Sequence, residues 1–141
     1  MQNMLIAITL SLAVLGADAP TISGSKELNR IQGKWELQGG EKNSTKLDFK
    51  LEQPKMVLEI REDKWIFTGQ EKGKIIAMDS RTLDIKSSEV GRVGEVDEGI
   101  YKLTGDTLTI CIYQGNGKNR PTEFTSKNED TILVVLKRLK P

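Results

Sequence analysis

The stretch Gly99-Ile-Tyr-Lys-Leu-Thr-Gly-Asp-Thr-Leu-Thr-Ile-Cys-Ile-Tyr113 limits the fold of this chain more than any other. Two runs that alternate between apolar and polar residues meet at Gly105-Asp106, and such a pair between alternating runs is a strong signal for a tight β-hairpin. With those two residues as the loop, Thr104 faces Thr107, Leu103 faces Leu108 and Tyr101 faces Ile110. Tyr101, Leu103, Leu108, Ile110 and Ile112 then share one sheet face, and Ile100, Cys111 and Tyr113 take the other. A slip of one residue would turn the whole apolar set outward, so burial of that set specifies the register.

The pattern recurs along the chain on a shorter scale. Lys34 to Gln38 reads as a first strand led by Trp35 and Leu37, followed by a polar, loop-like stretch from Gly39 to Lys46. Met56 to Ile60 and Trp65 to Thr68 form a second hairpin; with Glu62-Asp63 as its loop, Ile60 faces Trp65 and Leu58 faces Phe67. Glu-Asp is a poor pair for positive φ, which leaves room for a wider loop. Shorter strands follow at Lys74 to Met78 and Thr82 to Lys86, then a loop from Ser87 to Glu98 with two Gly and four acids. A short piece at Thr122 to Thr125 and a last strand from Thr131 to Arg138 complete the series. Ahead of them, Ser25 as a cap, Leu28 and Ile31 three apart, and Gly33 as a stop predict a turn or two of helix. Eight or nine short antiparallel strands at these spacings define an all-β sandwich or barrel.

Residues 1–19 stand apart from that pattern. Leu5 to Leu15 is uncharged and mainly apolar, about the length of a signal-peptide core and too short to span a bilayer. Ala17-Asp18-Ala19 has the small-x-small pattern of a cleavage site. The expected organisation is therefore a signal peptide at 1–19 and one domain at 20–141, exported to the periplasm or beyond, with no transmembrane segment once the leader is removed. Without the leader, and with Asp18 lost, the 21 Lys and Arg leave a net charge of +2. That near balance gives no steering toward nucleic acid or an anionic membrane. Cys111 is the sole cysteine, so an internal disulfide is impossible and stability must come from packing. The expected state of Cys111 is a packed or half-covered thiol.

The residues needed for most active-site chemistry are missing. There is no His, which removes the commonest general base, the Ser-His and Cys-His dyads and imidazole metal ligands. One Cys cannot build a thiolate zinc site. Gly69-Gln-Glu-Lys-Gly73-Lys74 is one residue short of a P-loop, and Ile75 stands where a magnesium-binding Ser or Thr belongs. No cofactor and no catalytic group is expected. Carboxylates remain the one enzymatic option, as a hydrolase would use them in pairs. Glu95, Asp97 and Glu98 read as a solvated run with weak calcium binding as the alternative, and Glu123 as a buried acid paired with Arg120 or a backbone amide. Asn43-Ser-Thr45 matches a glycosylation acceptor.

Four segments taken together carry a family likeness: Ile31-Gln-Gly-Lys-Trp35, the Gly99–Cys111 hairpin, Arg120-Pro-Thr-Glu-Phe124 and Leu133-Val-Val-Leu-Lys-Arg138. Their order and spacing resemble the uncharacterised lipocalin-like domain common in exported proteins of planctomycete bacteria, over nearly the whole chain after residue 19. The chain departs from that pattern between Asp79 and Leu83, where the family carries a longer Pro-containing connection, and at Glu62, where a turn Gly is usual. The resemblance implies a small lipocalin-like β-barrel. It further implies that Trp35 packs under Arg138 to close one barrel end.

Inside such a barrel Leu58, Trp65, Phe67, Tyr101, Leu103 and Ile110 become the expected cavity lining. Strands of about six residues span only about 20 Å, so the expected interior is mostly packed, with at most a shallow pocket at the open mouth. The functional expectation is a non-catalytic binding module, taking a small apolar or amphipathic ligand at that mouth. The alternative is a filled barrel that engages an envelope protein through an outer patch at Ile66, Ile100 and Tyr113. A carboxylate-based hydrolase is a distant third.

Overall fold

The computed structural model describes residues 25–51 and 53–140; the leader expected at residues 1–19 lies outside them. Among the described residues one short helix, α1 (Lys26–Arg30), precedes nine strands. These are β1 (Gly33–Lys42), β2 (Thr45–Asp48), β3 (Val57–Arg61), β4 (Lys64–Phe67) and β5 (Gln70–Met78). β6 (Thr82–Ser87), β7 (Val96–Thr104), β8 (Thr107–Tyr113) and β9 (Thr131–Arg138) follow. Every strand pairs antiparallel with its neighbour in the order β2-β1-β3-β4-β5-β6-β7-β8-β9, and β9 returns to β1. The result is a closed antiparallel barrel of eight strands, with β2 as an extra strand folded against β1. Closure leaves the barrel itself no open sheet edge along its seam.

The two hairpins read from the sequence have the registers their apolar faces demand. Thr104 pairs with Thr107, Leu103 with Leu108 and Tyr101 with Ile110. Ile60 pairs with Trp65 and Leu58 with Phe67. Gly105 alone takes positive φ (60°) in its loop, the arrangement a Gly-first two-residue turn requires. The Glu62-Asp63 loop is no wider than two residues, because Glu62 adopts a φ of 58°. Its backbone is held in that conformation from outside: Gln32 Oε1 accepts from the Glu62 amide and Gln32 Nε2 donates to the Glu62 carbonyl, both at 2.8 Å.

Several boundaries differ from the sequence reading. The polar stretch at 39–46 is the upper part of β1, a turn at Asn43-Ser44 and the start of β2. Asn43 and Ser44 both take positive φ (51° and 63°), as a tight hairpin turn needs, so a polar pair marks a turn where a long loop was expected. β7 begins at Val96, which draws Asp97 and Glu98 out of the expected loop and into the sheet. Residues 122–125 form no strand; they lie across the barrel's outer wall.

That outer segment is tied down at three points. Arg120 Nη1 donates to the carbonyls of Gly99 (2.8 Å) and Leu83 (3.3 Å), and Arg120 Nη2 lies 2.8 Å from Asp84 and 3.5 Å from Glu98. The Asp84 contact is charge proximity without hydrogen-bond alignment. The Cys111 thiol, fully buried on the outward face of β8, points at the carbonyls of Thr125 (3.4 Å) and Glu123 (3.6 Å). Burial pushes that thiol's pKa up. Ser126, also fully buried, accepts from the Ser44 amide at 2.9 Å and donates to Glu41 at 3.3 Å, which pins the β1–β2 turn.

Call the end holding Gly33, Thr104 and Arg138 the lower end. There α1 caps the barrel: Ser25 Oγ accepts from the Leu28 amide (3.1 Å), and Leu28 and Ile31 are buried at 0 and 1% exposure. Trp35 is fully buried and its indole N–H donates to the Ile31 carbonyl at 2.9 Å. The Arg138 guanidinium lies 4.2 Å above the Trp35 ring and donates to the carbonyls of Gln32 (3.0 Å) and Arg30 (2.9 Å). A guanidinium over an indole face is favourable because the ring quadrupole attracts the cation. Above this plug, Ile60, Ile75, Leu83, Leu108 and Ile110 fill the lower half of the barrel.

Candidate functional site

The upper half of the barrel is not filled. A cavity of about 300 Å³ opens at the mouth, its walls formed by Leu37, Leu58, Trp65, Phe67, Ile112, Ile132, Val134 and Leu136. These come from β1, β3, β4, β8 and β9, whose inward positions alternate along each strand. Phe49 and Met56 lean over the opening from the connection between β2 and β3. Three strands are longer than the expected six residues: β1, β5 and β7 run to ten, nine and nine.

A polar recess of about 60 Å³ adjoins the apolar chamber and shares Trp65, Lys72, Glu89, Ile112 and Gln114 with it. Arg92 organises the recess from the loop between β6 and β7. It bonds Asp97 at 2.5 Å, Glu95 at 3.2 Å and the Gln114 carbonyl at 3.3 Å, and stands 3.9 Å from Glu89. Lys72 approaches Glu89 at 4.0 Å. Asp97 faces the interior and is 6% exposed; burial pushes its carboxyl pKa up more than Arg92 pulls it down. The same loop presents Val90 and Val93 to solvent. The mouth is thus greasy within and ionic at one side.

Of the residues expected to line a cavity, Leu58, Trp65 and Phe67 do so. Ile110 is fully buried in the packed lower half. Tyr101, paired with Ile110, and Leu103, nearer the hairpin loop, border an outer groove, with the Tyr101 hydroxyl donating to the Asp79 carbonyl at 2.6 Å. Register alone put them on the inner face but carried no information on height along the barrel. Ile112, read from the hairpin as an inward residue, lines the mouth, and Val134, Ile132, Phe49 and Arg92, which were not among the expected lining, complete it. The alternation of 131–138 was the available signal for Ile132 and Val134; for Arg92 there was none, because a loop cation has no period.

Three acidic expectations are corrected. Asp97 is no solvated loop acid, and strand alternation sends it inward while Glu98 points outward to Arg120. Glu123 is exposed, and Arg120 spends its guanidinium on Asp84, Glu98 and two carbonyls instead. The outer patch expected at Ile66, Ile100 and Tyr113 is broken because Ile66 is only 5% exposed. Among the described residues no three His, Cys, Asp or Glu side chains come together as metal ligands. No helix among them is long and apolar enough to cross a membrane.

Comparison with protein-family models, with curated proteins and with solved structures finds no match to this chain.

Proposed function

We propose that the barrel is a binding module for a small amphipathic ligand, held with its apolar part in the upper chamber and its polar end toward Arg92, Lys72 and Glu89. The carrying observation is the apolar chamber itself, closed below by a packed plug and open above. Its volume of about 300 Å³ stands at the lower limit of small-molecule pockets, which run from about 300 to 1,000 Å³. Half-buried Trp65, Phe67, Ile132 and Val134 give a ligand apolar surface to cover. The ionic side of the mouth supplies both donors and acceptors, which orient a ligand more than they add affinity. The lipocalin-like resemblance and the apolar leader fit an exported carrier or sensor of this kind.

Titration with N-phenyl-1-naphthylamine, whose emission rises in apolar surroundings, tests the proposal. Saturable one-to-one binding with a dissociation constant of about micromolar order is expected. A Val134→Phe variant, which fills the chamber, should lose that binding and keep its cooperative unfolding. Absence of saturable binding, or equal binding by the variant, overturns the reading.

A further inference from the structure

A second concavity lies outside the barrel, at the lower end and away from the mouth. It measures about 830 Å³ and follows β7 where β6 stops. The β6–β7 ladder ends at Thr82 opposite Ile100, yet β7 continues to Thr104. The Tyr101 amide still bonds to the Arg81 carbonyl at 2.9 Å. By the alternation of an antiparallel ladder, the Leu103 amide turns to the same side one step beyond the end of β6. It is a backbone donor directed toward the groove.

Three cations border this groove: Arg30 from the end of α1, Arg81 from the β5–β6 turn and Lys102 from β7. Among the described residues none of them has a carboxylate partner within 4.0 Å, whereas Arg92, Arg120 and Arg138 all do. The one acid on the groove, Asp79, is already committed. Its Oδ1 accepts from the amides of Arg81 (2.8 Å) and Thr82 (2.7 Å), and these bonds hold its pKa below the usual value. Those amides keep Asp79 ionised, so the lining sets three positive charges against one negative, with Glu27 near enough to act on Tyr101, and the balance is positive.

Its walls are not those of a merely solvated surface. Ile100, Leu103 and Phe124 are half-buried there, and the Lys102 ammonium sits 4.7 Å from the centre of the Phe124 ring. Phe124 belongs to the Arg120-Pro-Thr-Glu-Phe segment noticed in the sequence. Arg120, buried Pro121 and the Cys111 thiol fix that segment to the wall, so the aromatic face is already in position. Preorganisation of this kind lowers the ordering cost of binding.

We propose that this groove is a second ligand site, distinct from the mouth, which takes a small carboxylate with a flat apolar body. The apolar body rests on Phe124 and Ile100, and the carboxylate lies among Arg30, Arg81 and Lys102. Charge-assisted bonds from Arg and Lys to a carboxylate are the short, strong class of hydrogen bond. The site does not depend on the mouth reading, since the two concavities share no residue.

The test uses 2-naphthoate as probe and uncharged 2-naphthamide as its control, with binding followed by amide chemical-shift mapping. Naphthoate is expected to shift Arg81, Thr82, Leu103 and Phe124 saturably, and naphthamide to bind there roughly tenfold more weakly or worse. The paired Arg81→Gln and Lys102→Gln changes should weaken naphthoate by a similar factor, and both side chains are exposed, so cooperative unfolding should be kept. Saturable shifts confined to Phe67, Ile132 and Val134 would place the probe at the mouth and overturn the proposal. Equal binding of acid and amide, or no saturable shift, overturns it as well.

Discussion

Asp97 is the residue at which burial and charge oppose each other most directly. Its carboxyl is raised above the ordinary Asp value of 3.8 because burial outweighs its bond to Arg92. The folded protein then holds that proton more tightly than the unfolded chain. Through the interval from 3.8 up to the raised value, stability falls as pH rises, and the cost is complete above it. Asp79 has the opposite sign, because backbone amides lower its pKa. Its contribution is present above 3.8 and is lost as pH falls through the lowered value. Urea unfolding across acidic pH should show the upper limb flattened in Asp97→Asn and unchanged in Asp79→Asn. Glu62 offers a simpler case. It pays left-handed strain at φ 58°, and Gln32 holds only its backbone, so Glu62→Gly should stabilise by about 0.5–1 kcal/mol in thermal unfolding.

At the level of the element, alternation made some strands readable and polar composition hid others. Leu103, Leu108, Tyr101 and Ile110 announce β7 and β8 because one face is wholly apolar and period two is unmistakable. The upper part of β1, Gly39-Gly40-Glu41-Lys42, and β2 carry little apolar signal, since much of their outer side meets water. What holds them is tertiary: four paired residues between β1 and β2, the return of β9, and Ser126 beneath the turn. Residues 120–124 of the outer segment were visible as a motif, but the segment's role as a strap depends on Arg120 reaching carbonyls 21 and 37 residues away. No local pattern encodes such a distance. Ser126→Ala leaves the Ser44 amide without its acceptor and should cost about 1 kcal/mol, with faster hydrogen exchange at Ser44 as the local sign.

On the scale of the whole molecule, the sequence disclosed the class of architecture and the inner faces, while the height of each residue within the barrel stayed hidden. That height separates Trp65 and Phe67, which line the chamber, from Ile110, which is buried beneath it. It also divides labour along one axis, with stability concentrated in the lower plug and apolar surface left over at the mouth. Trp35→Ala should therefore destabilise by about 3–5 kcal/mol, because the indole is fully buried and supports both α1 and Arg138. Equal chemical denaturation of the variant and the parent would sink that assignment.

The seam between β1 and β9 has a kinetic consequence. All other ladders join strands that follow one another closely along the chain, whereas this one brings Trp35 opposite Arg138. Ring closure across such a separation carries the largest chain-entropy cost, so it should come late in folding. Until it does, an almost complete meander exposes two unpaired borders, and each is a template for another copy of itself. Refolding from denaturant should therefore lose yield as protein concentration rises. Substitutions at the seam that slow closure, such as a proline at Val135, should steepen that loss.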